Sequence, residues 1–258
     1  MNMIDKIFTH KKNILSIYFT AGYPNLESTK KIIRILQKYC VDLVEVGIPY
    51  SDALADGTTI QNSSKKSLIN GMNIDKLVSQ MQCIKKELYI PLIFMGYYNS
   101  FLRFGEESFL NKCKQIGISG LIFPDIPPSI YQDNYQKRFK KYELHFILLV
   151  TTHTPIERIF IISSITEGFL YLVSSTSTTG KNILFDKRKD DYFTYLNSKI
   201  KLNIPKLIGF GISNKESFNW SCRYSDGAII GSSFIKSIDK YDIEGSIQRF
   251  LQLIEGKR

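Results

Sequence analysis

The amino-acid sequence predicts a single (β/α)8 barrel that occupies residues 1–258, and three observations support this prediction. Short apolar segments alternate with longer amphipathic segments, a pattern typical of a parallel sheet covered by helices. The short apolar segments number eight, which is the count that closes a barrel. No glycine-rich dinucleotide-binding motif follows the first of them, so the sequence favours a barrel over an open nucleotide-binding sheet.

The predicted strands and helices follow one another in regular order. The eight strands are expected at residues 14–20, 41–48, 91–97, 119–124, 144–150, 169–174, 205–210 and 227–231. The second is β-branched and alternating, as a buried parallel strand should be. Helices are expected near residues 26–39, 73–87, 106–116, 128–141, 155–165, 188–200 and 242–255. Neither a linker nor a low-complexity segment interrupts this order, so the chain is expected to form one domain.

The charge and the cysteines exclude several classes of function. The net charge is +10, but most lysines occur as scattered pairs on predicted helices, and residues 187–189 form the one tighter basic cluster. Two acids follow that cluster and no base-stacking motif accompanies it, so we expect no nucleic-acid partner. The positive net charge is instead expected to attract small phosphorylated anions weakly. The four cysteines show no CxxC pairing and no nearby histidines, which predicts neither zinc nor a redox dithiol, and hence no metal.

The first residues and the apolar segments indicate the cellular localisation of the protein. The N-terminus lacks an apolar core followed by small residues, and no apolar run approaches the roughly 20 residues of a membrane span. Reduced thiols are the simplest interpretation of the unpaired cysteines. We therefore expect a cytoplasmic protein that does not bind a membrane.

Two acids around the end of the second predicted strand give the strongest functional signal. Glu45 lies within residues 41–48, where a carboxylate in an otherwise apolar strand needs a reason. Asp56 lies in the following loop, close to the carboxyl end of that strand. Active sites of (β/α)8 barrels occupy this end, so the pair predicts an acid/base site. As alternatives, Glu45 could pair with a lysine inside the barrel, and Asp56 could shape its loop as an Asx turn.

Glycine-bearing turns follow the seventh and eighth predicted strands, at residues 209–213 and 231–233. Glycine allows backbone N–H groups to approach an anion closely, and a short helix after the eighth strand would add its positive N-terminus. The two turns therefore favour a phosphate site, although glycine also serves simple tight turns. Asp125 indicates loop structure or a subunit contact, and the histidines, His10, His145 and His153, are interpreted as structural.

Several motifs together carry a resemblance to a known family. The segment EVGIPYSDALADGTTIQ, with FTAGYP before it and LIFMGYYN, PDIPP, GFLYLVS, GFGIS and GSS after it, resembles the α subunit of tryptophan synthase. The resemblance covers nearly the whole chain. It implies retro-aldol cleavage of indole-3-glycerol phosphate into indole and glyceraldehyde 3-phosphate. It also implies a β subunit, which binds pyridoxal phosphate, receives the indole through a tunnel and completes an α2β2 heterotetramer; this chain itself would carry no cofactor.

The resemblance also implies roles for individual residues. Glu45 matches the general acid/base, and Asp56 matches the acid that accepts a hydrogen bond from the indole N–H. Tyr18 and Tyr171 match rings beside the substrate, although Tyr171 alone reads equally well as core. The positions that match the phosphate site or the lid over the active site are Thr179, Gly180, Gly211, Gly231 and Ser232.

The sequence departs from the family pattern at two loops. Within residues 174–180, Ser175 stands in place of a usual arginine and Ser177 in place of a usual glycine. Ala53 and Thr58 each replace a usual proline in the loop that carries Asp56. These changes predict that lid closure and activation by the partner are altered. Because Glu45, Asp56, Thr179 and the phosphate turns remain, the chemistry is expected to be retained.

Three other functions remain as alternatives at this point. A barrel without useful catalysis could serve as an allosteric scaffold for the β subunit, but the two retained acids argue against it. A stand-alone lyase would release free indole and need no partner for turnover. Another phosphate-binding barrel, such as an epimerase or isomerase, fits the glycine-bearing turns but not the paired acids.

Overall fold

A computed structural model gives the fold, and it describes residues 1–174, 187–199 and 202–255. The strands are β1 (Ile14–Thr20), β2 (Leu43–Gly47), β3 (Leu92–Met95), β4 (Gly120–Ile122), β5 (His145–Phe146), β6 (Leu149–Thr151), β7 (Leu170–Val173), β8 (Lys206–Gly209) and β9 (Gly227–Ile230). All neighbouring strands pair in parallel. Each predicted strand is therefore present, with ends that differ by a few residues at most.

The sheet curls into a barrel. Its strand order is β5-β4-β3-β2-β1-β9-β8-β7-β6, so the two outermost strands are consecutive in the chain. Only residues 147 and 148 separate β5 from β6. These two strands are halves of the predicted fifth strand, and the sheet closes between them. The nine strands thus occupy eight barrel positions, and the (β/α)8 prediction is confirmed.

Helices surround this barrel. They are α1 (Met3–His10), α2 (Ser28–Lys38), α3 (Thr58–Ile69), α4 (Ile74–Ile84), α5 (Tyr98–Phe104), α6 (Glu106–Ile116), α7 (Pro128–Ile130), α8 (Gln136–Lys141), α9 (Ile156–Ile165), α10 (Lys187–Lys199), α11 (Lys215–Tyr224), α12 (Ser232–Ser237) and α13 (Ile243–Glu255). A 3₁₀ turn follows α4 and a π-helical turn joins α7 to α8. Within the described ranges, no helix is long and apolar enough to cross a membrane.

Four helices, α1, α3, α5 and α11, were not predicted from the sequence. The inner face of α3 is built from serines, Ser63, Ser64 and Ser67, so it shows little apolar periodicity. Helix α11 has a sequence signal, because Asn214 caps its N-terminus and forms a capping box with Ser217. A capping motif thus marks α11 where hydrophobic periodicity does not.

Helix α1 closes the end of the barrel opposite the expected active site. Its Ile4 is fully buried and packs where Gly120 and Gly168 leave room, since a Cβ atom at either glycine would lie within 3.0 Å of an Ile4 methyl carbon. The Asn2 side chain caps the helix and donates hydrogen bonds to the Ser119 and Glu143 carbonyl oxygens. This end of the barrel is therefore occupied by structural packing.

His145 connects α1 to the barrel through two carboxylates. Its Nε2 lies 2.8 Å from Asp5 Oδ1, and its Nδ1 lies 3.7 Å from Glu167 Oε2. Burial lowers the pKa of His145, but the hydrogen bonds and charges of Glu167 and Asp5 outweigh burial and raise it above the ordinary value. The stabilisation that protonated His145 gives to the folded state is therefore complete below the unfolded-state pKa of this histidine, and it is lost as the pH rises through the folded-state pKa.

We expect His145→Gln to lower the free energy of unfolding by roughly 1 kcal/mol at about pH 6, and by less at about pH 8.5. Urea unfolding at both pH values measures the difference. His153→Gln provides the control, because His153 is exposed and lies outside this cluster. An equal loss of stability at both pH values would show that the imidazolium charge contributes nothing.

Candidate active site

Glu45 lies inside the barrel on β2 and is fully buried. Its Oε1 accepts a 2.7 Å hydrogen bond from Ser16 Oγ on β1, whereas its Oε2 is buried and has no hydrogen-bond partner among the described residues. Burial raises the pKa of the Glu45 carboxyl to about 7, and the Ser16 hydrogen bond opposes this rise only in part. The side chain can therefore take up or release a proton near neutral pH, through an oxygen that the described residues leave unpaired.

Asp56 lies in the loop between β2 and α3 and is 8% exposed. Its Oδ2 accepts a 3.1 Å hydrogen bond from the Tyr97 hydroxyl, and its backbone carbonyl accepts one from Gln61 Nε2. Burial raises the pKa of Asp56 to about 6, and the Tyr97 hydrogen bond lowers it in part. Asp56 is therefore mostly ionised at neutral pH in a largely dry environment, where a negative charge acts strongly on a developing cation.

Tyr18 lies close enough to both acids to interact with their charges. It is the register partner of Glu45 on the neighbouring strand and is 7% exposed. Burial raises the pKa of Tyr18 well above its ordinary value, and the charges of Asp56 and Glu45 add to the rise. The ring packs over Gly47, where a Cβ atom would lie 2.2 Å from the hydroxyl oxygen. Tyr18 is thus an uncharged aromatic side chain that lies near both acids.

Tyr171 faces the same interior from β7. It is 5% exposed, and burial raises its pKa well above the ordinary value, with the charge of Glu45 as the next cause. A Cβ atom at Gly209 would lie 2.3 Å from the Tyr171 hydroxyl oxygen, so the ring depends on glycine at that position. Tyr171 is therefore part of the buried core and also lies near Glu45.

The two glycine-bearing turns lie next to each other at the carboxyl ends of β8 and β9. Phe210 and Gly211 both have positive φ angles, 71° and 78°. Gly231 precedes α12, and the Ser233 hydroxyl donates a 2.9 Å hydrogen bond to the Ile212 carbonyl oxygen, which joins the two turns. The first N–H groups of a helix have no intrahelical acceptor, so those of Ser232 and its neighbours are available to an anion.

Thr179 and Gly180, with Ser175 and Ser177, lie outside the described residues. Asp125 accepts hydrogen bonds from the Tyr98 N–H on both carboxylate oxygens, at 2.9 Å, so it caps the start of α5. That contact is the loop role expected for Asp125.

The contacts of Glu45 and Asp56 favour neither the lysine pair nor the Asx turn. The carboxylate contact of Glu45 is to Ser16, and no described lysine pairs with it. The Asp56 carboxylate binds a tyrosine hydroxyl rather than a backbone N–H of its own loop. Among the described residues, no group of three histidine, cysteine, aspartate or glutamate side chains is arranged to hold a metal ion.

Ser16 and Tyr97 contact the acids and were not predicted. Ser16 is a polar residue in the apolar segment ILSIYFT, two positions before Tyr18 and therefore on the same face of β1. Tyr97 follows β3, at the strand end where barrel chemistry is expected. The sequence positions of both residues could have marked them as candidates for the site. Their hydrogen-bond partners could not be predicted, because these depend on strand register.

A cavity of about 450 Å³ opens at the same end of the barrel, between the loops that follow β4 and β6. Its lining includes Phe123, Asp125, Leu149 and Arg158. Leu149 is the register partner of Tyr171, so the cavity borders the interior beside that ring. Neither Glu45 nor Asp56 belongs to its lining.

Comparison with known proteins gives a consistent result. A family model described as tryptophan synthase alpha chain matches residues 4–256. The tryptophan synthase alpha chain of Karelsulcia muelleri (strain GWSS) is 51% identical over 98% of this chain and 99% of its own length. The solved tryptophan synthase subunit alpha of Legionella pneumophila str. Paris superposes with a TM-score of 0.83 at 28% identity, covering 98% of this chain and 99% of its own. A chain from the aminoacrylate-bound tryptophan synthase of M. tuberculosis, 22% identical, shares the fold with a TM-score of 0.85 and full coverage of both chains.

Proposed function

The chain belongs to the tryptophan synthase alpha chain family, and on this premise we propose that Glu45 and Asp56 perform the chemistry of its reaction. The family resemblance inferred from the sequence is confirmed. The chain is a lyase of tryptophan biosynthesis, and its reaction is the retro-aldol cleavage of indole-3-glycerol phosphate into indole and glyceraldehyde 3-phosphate. The indole passes to a β subunit in an α2β2 heterotetramer. Pyridoxal phosphate belongs to that β subunit, and this chain carries no cofactor.

Glu45 is proposed as the general acid/base. Cleavage of the bond between indole C3 and the glycerol chain requires a proton on C3 and removal of the proton from the C3′ hydroxyl. The electrons of that hydroxyl then form the aldehyde as the carbon–carbon bond breaks. A carboxyl with a pKa of about 7 is well matched to either proton transfer at neutral pH. The observation that carries this proposal is the buried Glu45 Oε2, which no described residue satisfies.

Asp56 is proposed to stabilise the intermediate. Protonation of indole C3 leaves a cationic indoleninium ring, whose N–H would donate to the Asp56 carboxylate. A charge interaction of this kind is stronger in the intermediate than in the neutral substrate, so it accelerates the reaction instead of only tightening binding. The 8% exposure of Asp56 keeps water from screening that interaction.

The remaining side chains are proposed to position the substrate. Tyr18 on β1 and Tyr171 on β7 supply aromatic rings near Glu45. The phosphate group is assigned to backbone N–H groups in three loops, at Gly180, Gly211 and the pair Gly231 and Ser232, with Thr179 in the lid beside the first. Support for the last two loops comes from their joined turns and the positive φ of Gly211.

The phosphate assignment predicts the effect of a backbone change. We expect Gly211→Ala to weaken glycerol 3-phosphate binding at least about tenfold, because alanine is strained at a φ of 78° and the turn would shift. Gly117→Ala is a matched control, since Gly117 has a φ of 80° and open space around it but ends α6. Isothermal titration calorimetry measures both variants. Equal affinity in Gly211→Ala and the wild type would remove this turn from the phosphate site.

An allosteric scaffold without catalysis has no need of a buried, unpaired carboxylate oxygen, which costs stability. A stand-alone lyase would use the same residues and differs only in its independence of the β subunit. We also propose that the protein is cytoplasmic, as a biosynthetic enzyme acting on a phosphorylated metabolite, and that residues 1–258 form its one domain.

A further inference from the structure

We infer that Tyr97 is a positioning residue for the lyase reaction, whose hydroxyl holds the Asp56 carboxylate in place and in its charged form. The hydroxyl makes two hydrogen bonds of opposite sense. It accepts one from the Ala55 N–H at 3.1 Å and donates one to Asp56 Oδ2 at 3.1 Å. Because a backbone N–H can only donate, the phenolic proton remains free to be given to Asp56. One oxygen thus binds both the carboxylate and the backbone immediately before it.

The Tyr97 ring is itself held by neighbouring loops. It stacks on Tyr50 with 5.0 Å between ring centroids and 22° between ring planes. The Tyr50 hydroxyl accepts a 3.0 Å hydrogen bond from Asn99 Nδ2, and Asp125 caps the N–H of Tyr98. Tyr97 is the residue that precedes α5, so these contacts fix both its backbone and its ring. A hydroxyl held in this way is already oriented before substrate binds.

The loop that carries Asp56 depends on contacts from other parts of the chain. Residues 48–57 connect β2 to α3 without a regular element. In the structure, Gln61 Nε2 donates to the carbonyl oxygens of Ala53 and Asp56. Tyr97 adds the remaining side-chain contacts to Ala55 and Asp56. Two side chains from outside the loop, Gln61 on α3 and Tyr97 between β3 and α5, therefore fix the acid.

The hydrogen bond also sets the charge of Asp56. Burial favours the neutral acid, while donation from Tyr97 favours the carboxylate and lowers the pKa. The other titratable groups that face Asp56 are Tyr18 on β1 and Tyr171 on β7, whose own pKa values are raised far from neutrality. Neither changes charge near pH 6. Loss of the Tyr97 hydroxyl should therefore leave Asp56 neutral over a wider range of acidic pH.

This inference rests on the proposed role of Asp56, so the experiment separates the two. In Tyr97→Phe we expect kcat for indole-3-glycerol phosphate cleavage to fall about tenfold, while KM stays within about twofold. The acidic limb of the pH profile of kcat should move to higher pH, by about 0.5 to 1 pH unit. Tyr241→Phe removes the hydroxyl of an exposed tyrosine outside this cluster and should leave the limb in place. Carbon NMR titration of the Asp56 carboxyl in the wild type and Tyr97→Phe gives the same answer without turnover.

Each outcome has a definite meaning. A carboxyl titration of Asp56 that moves to higher pH in Tyr97→Phe, together with the lower kcat, establishes the positioning role. An unchanged titration and pH profile in Tyr97→Phe would overturn it, even if activity fell, because a purely structural residue would lower activity without moving either. Full turnover in Asp56→Asn would instead refute the proposed role of Asp56, whatever the NMR titration shows about Tyr97.

Discussion

Replacing Glu45 with glutamine is expected to abolish cleavage of indole-3-glycerol phosphate, with a loss in kcat of about 10³-fold or more. Glutamine keeps the shape of the side chain, and its amide oxygen can still accept the hydrogen bond from Ser16 Oγ. It cannot exchange a proton near neutral pH. Binding of glyceraldehyde 3-phosphate should remain within about twofold of the wild type, because Glu45 is not part of the proposed phosphate site.

The same substitution should make the protein more stable at alkaline pH. The folded-state pKa of Glu45 is about 7, above the ordinary value of 4.5, so the folded state resists ionisation of this group. Stability from the neutral carboxyl is complete below the unfolded-state pKa and is lost as the pH rises from about 4.5 through about 7. At about pH 8, Glu45→Gln should therefore unfold at a higher urea concentration, with a gain of roughly 2–3 kcal/mol.

Single-turnover release of glyceraldehyde 3-phosphate and urea unfolding at two pH values measure these effects. Glu216→Gln serves as the control, since Glu216 is exposed on α11 and far along the chain from Glu45. Retention of more than about a tenth of wild-type turnover by Glu45→Gln would refute the acid/base assignment. A loss of stability at alkaline pH would contradict the burial argument.

Asp56→Asn is expected to lower kcat by about 10²- to 10³-fold, because it removes the negative charge that faces the indoleninium cation. The amide oxygen can still accept the hydrogen bond from Tyr97, so the loop should keep its position. Affinity for glycerol 3-phosphate should be nearly unchanged. The effect is smaller than that of Glu45→Gln because Asp56 stabilises an intermediate and does not transfer the proton itself.

Asp52→Asn provides the matched control for this prediction. Asp52 lies in the same loop but is exposed, and its carboxylate accepts a hydrogen bond from Ser51 at the surface. Steady-state kinetics of both variants distinguish a specific charge effect from a general disturbance of the loop. Equal losses in Asp52→Asn and Asp56→Asn would show that the loop conformation, and not the Asp56 charge, determines the rate.

The strands were predictable from sequence because each is a short apolar run, and β1 has the predicted bounds, residues 14–20. Helix α3 was missed because its buried face consists of serines, which carry no hydrophobic period. The division of the fifth strand into β5 and β6 depends on how the sheet closes, and no local pattern encodes it. Periodicity thus identifies elements with an apolar face and fails where polar side chains are buried.

The positions of the acids were also accessible from sequence, whereas their immediate contacts were not. A glutamate in a β-branched strand and an aspartate in the next loop point to the end of the barrel where the structure places both. The bonds from Ser16 to Glu45 and from Tyr97 to Asp56 join residues 29 and 41 positions apart. Such contacts depend on strand register and loop conformation, which the pattern of residue types does not specify.

Release of glyceraldehyde 3-phosphate from indole-3-glycerol phosphate by the purified chain, with and without an added β subunit, tests the central claim most directly. We expect slow release by the chain alone, because the acids are in place in the isolated barrel, and much faster release with the β subunit. Undetectable release under both conditions, while the chain still stimulates the β reaction, would contradict the account and identify the barrel as a regulator.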